Sequence, residues 1–169
     1  MVRQTSSNTR ASAGHEAFGL GRYQEAASHY TEAMNAAAAL GESNPTLTTL
    51  MVHLARCHRK LARYGEGEDI IQAALRRDEQ YRGEDSLEVA RDLTLLAEFL
   101  LDRAAPKEAQ PLLKQALSIQ ERLLGPGHIE TAGTLHSLAL AYGAQGLPKE
   151  AETTCREALS LRRANLDND

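Results

Sequence analysis

The chain contains a strongly patterned segment, Gly21-Arg22-Tyr23-Gln24-Glu25-Ala26-Ala27-Ser28-His29-Tyr30-Thr31-Glu32-Ala33. Its aromatic residues and alanines follow the i, i+3, i+7, i+10 spacing that places side chains on one face of an α-helix, at Tyr23, Ala26, Tyr30 and Ala33. Related stretches occur at 62–74, 104–116 and 146–158. The pattern predicts a helix that recurs along the chain and buries the same face in each copy.

The chain repeats itself about every 42 residues. Two series keep this spacing, Ala55, Ala97 and Ala139, and Leu75, Leu117 and Leu159, while the first copy is 41 residues from the second. A fixed period of this length is typical of stacked structural repeats. We therefore expect four repeats, with a disordered N-terminal tail at 1–6 and a C-terminal tail at 166–169. The predicted repeats are 7–45, 46–85, 86–127 and 128–165.

Each repeat is predicted to be two helices joined by a tight turn. Pro106 and Pro148 fall at the first turn of second helices, where a missing N–H costs nothing. Pro45 and Gly125-Pro126-Gly127 lie between repeats, where helices should stop. The expected helices are 7–20, 23–40, 46–61, 64–82, 86–103, 106–124, 129–145 and 148–165.

Small residues recur at two positions where paired helices would need their backbones to approach closely. The first-helix position holds Gly14, Ala55, Ala97 and Ala139, and the second-helix position holds Ala26, Gly67, Ala109 and Ala151. A larger side chain at these positions should separate the pair.

Composition narrows the class of protein. The net charge of −4 gives no whole-chain electrostatic reason to bind nucleic acid or an anionic membrane. Neither a signal-peptide pattern nor an apolar run of membrane-spanning length occurs in the sequence, so a soluble, cytoplasmic protein is expected. Cys57 and Cys155 are predicted to be reduced thiols, because nothing near them has the spacing of a redox pair.

Candidate chemical groups do not converge in the sequence. His53 and Cys57 are one helical turn apart, which suits a metal pair, but no third ligand is near in sequence. Gly125-Pro126-Gly127 lacks the preceding strand and following Lys-Ser/Thr of a phosphate loop. We therefore expect no catalysis, no cofactor, no metal and no small-molecule substrate.

Three segments carry a likeness to a known family. They are Lys107 to Leu117, with Pro111 early in the second helix, Leu123 to His128 between repeats, and Leu135 to Tyr142 in a first helix. The chain resembles the tetratricopeptide repeat family, in particular the longer repeats of kinesin light chains. This resemblance implies an all-α, right-handed α-solenoid of four helix-turn-helix repeats, whose first helices line a concave groove that receives a peptide or a partner's helix.

The residues expected in that groove come from equivalent positions of the first helices. They are predicted to be Val52, Arg56, Arg59, Lys60, Arg91, Glu98, Leu101, His136 and Leu140. With Asp102 included, this row carries four cations and two anions, opposite in sign to the whole chain. The sequence therefore predicts a locally basic groove with an apolar floor of Val52, Leu101 and Leu140.

Two interpretations of these charges stay open. Arg56 could pair with Glu98, and Lys60 with Asp102, as a ladder of ion pairs between repeats. Arg59 and Arg91 have no assigned partner in the sequence and are predicted to contact a ligand carboxylate.

Two functions stay open as well. The first is an adaptor that binds an acidic, partly apolar peptide of a protein partner in the groove. The second is structural self-assembly, with weak homo-oligomerisation through the terminal helices, which Leu159 and Leu161 favour and the charges around them oppose.

Overall fold

The computed structural model describes residues 2–39, 41 and 44–166, and the side chains of 7–39, 41 and 44–165. Within these ranges the chain forms eight α-helices and no strand. They are α1 (Val2–Gly19), α2 (Tyr23–Ala38), α3 (Pro45–Lys60), α4 (Tyr64–Arg82), α5 (Leu87–Asp102), α6 (Pro106–Leu124), α7 (Thr131–Ala144) and α8 (Pro148–Leu166). The prediction of paired helices is confirmed.

Most helix ends agree with the predicted ones within two residues. The largest difference is at α1, which begins at Val2 rather than at residue 7. Helix α7 begins at Thr131 rather than 129, because the preceding residues form a turn in which the Thr131 hydroxyl donates to the His128 carbonyl at 2.7 Å. Three predictions fall on residues outside the described ones. They concern the end of α2 at residue 40, residue 1 of the N-terminal tail and residues 167–169 of the C-terminal tail.

The helix starts have local causes. Pro45, Pro106 and Pro148 each begin a helix, so Pro45 starts α3 instead of merely separating two repeats. The side chain of Asn44 caps α3 by accepting a hydrogen bond from the Thr46 N–H at 3.0 Å. Ser86 caps α5 in the same way, because its side chain accepts a hydrogen bond from the Val89 N–H at 3.3 Å.

The turn inside every helix pair has the same backbone form. The second residue after each first helix has a positive φ, and the N–H of the next residue reaches back five residues, as in a Schellman motif. The positive-φ residues at this position are Gly21, Ala62, Ala104 and Gly146. Glycine adopts this conformation without strain, whereas alanine does so at a cost.

The helices fall into two compact units, which divide between Tyr81 and Arg82. In unit 1, α2 packs against both α1 and α3. The predicted buried face of α2 is found at Ala26, Tyr30 and Ala33, which are at most 1% exposed, while Tyr23 is half-buried. These side chains join Leu50, Leu54 and Cys57 in one core.

In unit 2, α6 packs between α5 and α7, and α8 packs on α7. Its core includes Ala97, Ala109, Leu113, Leu138 and Ala141. The predicted small positions are buried in both units, with the exception of Ala151, which is half-buried.

Candidate functional site

The predicted contact residues occur in both units, on first helices of the pairs. In unit 1 they lie on α3, beside α1. In unit 2 they lie on α5 and α7, which contact each other directly.

On the unit 1 face, two histidines from different helices meet. The Nε2 atoms of His15 on α1 and His53 on α3 are 3.2 Å apart, and the two rings are edge-to-face with centroids 4.6 Å apart. His15 is exposed and His53 is half-buried. One ring must donate its N–H to the other, so at least one of the facing nitrogens carries no proton.

A buried layer supports this histidine pair. The Tyr30 ring stacks on His53 with centroids 5.2 Å apart and lies edge-on to His15. Burial, helped by the charges of His15 and Arg56, lowers the pKa of His53 to about 4. Burial also raises the pKa of Tyr30 to about 12 and that of the Cys57 thiol to about 11. All three groups are therefore uncharged at neutral pH.

The cations of the same face lie at the end of α3. Arg56 and Lys60 are one turn apart and exposed, with the half-buried Val52 one turn before them. Among the described residues of unit 1, neither Arg56 nor Lys60 has an ion-pair partner. Arg59 is half-buried and already engaged within the fold. Arg56 and Lys60, rather than Arg59, are thus the cations of this face that are available to a ligand.

On the unit 2 face, Arg91 has a partner within the protein. Its Nη2 atom contacts both carboxylate oxygens of Glu130, at 2.7 and 2.9 Å. Glu130 is thus a partner of Arg91 that the sequence did not assign, and contact of Arg91 with a ligand carboxylate stays a prediction. Glu130 immediately precedes α7, so this ion pair ties the start of α7 to α5.

Further polar contacts link α5 to α7. The Ser137 hydroxyl donates to Glu98 Oε1 at 3.2 Å, and the Thr94 and Thr134 hydroxyls are 3.2 Å apart. Glu98 is half-buried and Ser137 is buried. Glu98 thus links the two first helices α5 and α7.

The other predicted residues of this face differ in accessibility. Leu140 is 54% exposed and His136 is exposed, both on α7. Leu101 packs partly into the unit 2 core, so only part of its side chain is accessible. Leu140 is therefore the main apolar surface that this face offers.

The predicted ladder of ion pairs would join α3 of unit 1 to α5 of unit 2. Its two pairs, Arg56 with Glu98 and Lys60 with Asp102, stay predictions. Glu98 and Asp102 each have an interaction within the described structure.

The described residues lack two features that would give this site other chemistry. No group of three or more His, Cys, Asp or Glu side chains is placed to hold a metal ion. No described helix has the length and apolar character needed to cross a bilayer.

The histidine pair was not anticipated from the sequence. The repeat spacing aligns His15 with Arg56 rather than with His53, so the two histidines occupy different positions of their repeats. The sequence shows only that His15 and His53 lie on two neighbouring first helices. It does not determine the distance between the two rings.

Comparison with known proteins places the chain in a family. A sequence profile of the tetratricopeptide repeat matches residues 45–121 and 92–164. Comparison with curated protein sequences gives no significant match.

Solved structures share the fold. BtubC (BKLC) from P. vanneervenii is 24% identical with a TM-score of 0.82, over 94% of this chain and 63% of BtubC. This chain thus spans less than two thirds of BtubC. A putative kinesin light chain of Podosopora anserina, with nearly identical TPR-like repeats, is 19% identical with a TM-score of 0.76, over 95% of this chain and 76% of that one. MamA is 17% identical with a TM-score of 0.65, over 95% of this chain and 81% of that chain.

These likenesses confirm the predicted fold class, an all-α solenoid of tetratricopeptide helix pairs. The fold supports a role as a protein–protein interaction or scaffold module, and its relatives are typically non-enzymatic. Because the family profile covers most of the chain, and the same helix pair recurs through it, the chain belongs to the tetratricopeptide repeat family, with repeats like those of kinesin light chains.

Proposed function

We propose that this chain is an adaptor whose first-helix faces bind an acidic, partly apolar peptide segment of a protein partner. At the end of α3, Arg56 and Lys60 are exposed one turn apart, and no ion-pair partner for either is found among the described residues of unit 1. Two exposed cations side by side, on a chain of net charge −4, form a local site for carboxylates.

Val52 provides the apolar part of this site on α3. It lies one turn before Arg56 and is half-buried, so it offers a methyl surface beside the two charges. A peptide that alternates carboxylates with an aliphatic side chain matches this arrangement. The remaining proposed contacts are Arg59, Arg91, Glu98, Leu101, His136 and Leu140.

The polar contacts of unit 2 give two of these residues, Arg91 and Glu98, a different role. Arg91 and Glu98 hold α5 to α7, through Glu130 and Ser137 respectively. They shape the face around the exposed Leu140, and their charges are partly satisfied before any ligand binds. We therefore assign the main electrostatic attraction to Arg56 and Lys60.

Exposed ion pairs contribute about 1 kcal/mol each at most, and a short apolar contact adds a similar amount. Two such pairs and one apolar contact sum to about 3 kcal/mol, far below the roughly 12 kcal/mol of nanomolar binding, so we expect weak affinity, micromolar at best. Because the charges are exposed to solvent, added salt should weaken binding.

The test is a fluorescence anisotropy titration with a short labelled peptide rich in Asp, Glu and Leu. The double variant Arg56→Glu/Lys60→Glu should bind at least about tenfold more weakly, which is the loss of about 1.4 kcal/mol. Arg76→Glu/Lys149→Glu, at exposed positions of α4 and α8, changes the net charge equally and should bind like the parent.

Far-UV circular dichroism checks that both variants keep the helical fold. Equal binding by the Arg56/Lys60 variant and the parent would overturn the proposal. Equal loss in both double variants would show that only net charge matters, which also excludes a specific site on α3.

Self-assembly is the second candidate, and exposed leucine on α8 favours it. Leu159 is 46% exposed and Leu161 is half-buried, although Arg162 and Arg163 follow them. Size-exclusion chromatography with light scattering over a concentration series tests this directly. A mass that rises with concentration in the parent, and does not rise in Leu159→Glu, supports assembly through α8.

A further inference from the structure

The histidine pair of unit 1 has a geometry with a chemical consequence beyond peptide binding. Two imidazole nitrogens, one from α1 and one from α3, face each other at 3.2 Å. Neither histidine is needed for the proposed carboxylate contacts of Arg56 and Lys60.

This distance is close to the one between two ligands of a single metal ion. Histidine nitrogens bind Zn²⁺ at about 2.0–2.1 Å, usually with tetrahedral geometry. Two nitrogens on one tetrahedral ion then stand about 3.3 Å apart. The hydrogen that the two rings share therefore occupies a place that a metal ion could take with small ring rotations.

The surroundings hold the pair ready while leaving it accessible. The ring of His53 is stacked on that of Tyr30, which is 1% exposed, so His53 has little freedom to turn away. His15 is exposed, so an ion can enter from solvent.

We propose that His15 and His53 form a two-histidine site for a borderline divalent transition-metal ion such as Zn²⁺, Ni²⁺ or Cu²⁺. Imidazole ligands select these ions over Mg²⁺ and Ca²⁺, which require oxygen ligands. Water completes the coordination, because the described residues supply no cluster of three ligating side chains.

Two neighbours set the limits of the site. Cys57, one turn after His53, is not a ligand, because it is fully buried in the core. The Arg56 charge, which also acts on His53, opposes a cation and lowers the affinity. A two-ligand site beside a cation binds more weakly than a four-ligand structural zinc site.

The test uses the full chain without a polyhistidine tag, titrated with Zn²⁺ alone. Nitrogen-15 spectra of the imidazole rings should show the Nε2 signals of His15 and His53 moving together at one ion per chain. The other four histidines provide internal references in the same spectra.

His15→Ala removes one of the two ligands and should weaken Zn²⁺ binding by at least about tenfold, since loss of even an outer partner of a ligand costs about 10–100-fold. His15 is exposed, so this variant keeps the fold and the proposal stays testable even if His53→Ala unfolds. His136→Ala, at an exposed position of α7, is the matched control and should bind like the parent.

Binding should also weaken as the pH falls, because metal and protons compete for the same nitrogens. Unchanged Zn²⁺ binding in His15→Ala would overturn the proposal. So would movement of the His128 or His136 ring signals in place of those of His15 and His53.

Discussion

Gly14 on α1 lies so close to the ring of Tyr30 on α2 that a β-carbon at residue 14 would stand 2.7 Å from the ring Cε1. Tyr30 is 1% exposed and cannot move out into solvent. The other three repeats have alanine at the position of Gly14, at Ala55, Ala97 and Ala139. The glycine is therefore the counterpart of one particular large side chain in the adjacent helix.

We expect Gly14→Ala to destabilise the fold by about 1–3 kcal/mol, since overpacking a filled core outweighs the helix propensity of alanine. Gly133→Ala on α7 is the control, because a β-carbon there meets nothing within 4 Å. This control should be neutral or stabilising by about 0.5–1 kcal/mol. Urea unfolding followed by circular dichroism measures both. Equal effects of the two substitutions would show that Tyr30 does not confine residue 14.

In the turns inside the helix pairs, we expect replacement of two alanines by glycine to stabilise the fold. Ala62 and Ala104 have φ of 56° and 58°, where the equivalent Gly21 and Gly146 have 74°. Ala62→Gly and Ala104→Gly should each stabilise the fold by up to about 1 kcal/mol, because glycine relieves the left-handed strain. The reverse change, Gly146→Ala, should cost about 1 kcal/mol. Thermal melts that rank these variants in the other order would contradict the strain assigned to this turn.

His53 should make the fold acid-sensitive. Its pKa is about 4 in the folded chain against 6.5 for the free side chain, so the unfolded state binds more protons between these values. The free energy of unfolding should therefore fall as the pH drops from 6.5 to 4, by about 2 kcal/mol after allowing for partial solvent screening.

Substitution of His53 by Gln should remove this part of the pH dependence, as measured by urea unfolding at several pH values. Some acid sensitivity should persist, because burial also lowers the pKa of His58. His136→Gln, at an exposed position, is the control. An identical pH dependence in parent and His53→Gln would show that His53 is not desolvated as the structure indicates.

The two cysteines should differ in reactivity. Cys57 is fully buried with a pKa of about 11, whereas Cys155 is half-buried on α8. Because the thiolate is the reactive form, a disulfide reagent at pH 8 should label Cys155 first and Cys57 only on unfolding. Cys57→Ser and Cys155→Ser assign the two phases. Two thiols that react at one rate in the native chain would contradict the burial of Cys57. Separately, mass spectrometry under non-reducing conditions should find no disulfide between Cys57 and Cys155.

The Arg91–Glu130 ion pair should contribute little to stability despite its short distances. Both side chains are about one third exposed or more, at 46% and 35%. A double-mutant cycle with Arg91→Ala and Glu130→Ala should give a coupling of about 0.2–1 kcal/mol that shrinks in salt. A coupling well above this range, unaffected by salt, would mean that the pair is buried from solvent.

The helices and their pairing were predictable from the sequence alone. The 42-residue period, the one-faced spacing of Ala26, Tyr30 and Ala33, and the helix-starting prolines are local signals, and local sequence determines where a helix begins and which side it buries. The recurrence of small residues likewise predicted the close approach of paired helices.

Which side chains contact each other between repeats could not be predicted before the packing of the helices was known. Arg91 and Glu130 are 39 residues apart, and His15 and His53 are 38 apart at non-equivalent positions of their repeats. The period predicts contact between equivalent positions, but a side-chain contact depends on the rotation of each helix about its axis and on rotamers. Those are settled by packing against a third element, as Tyr30 does for His53, so the partner of Arg91 and the histidine pair could not be read from spacing.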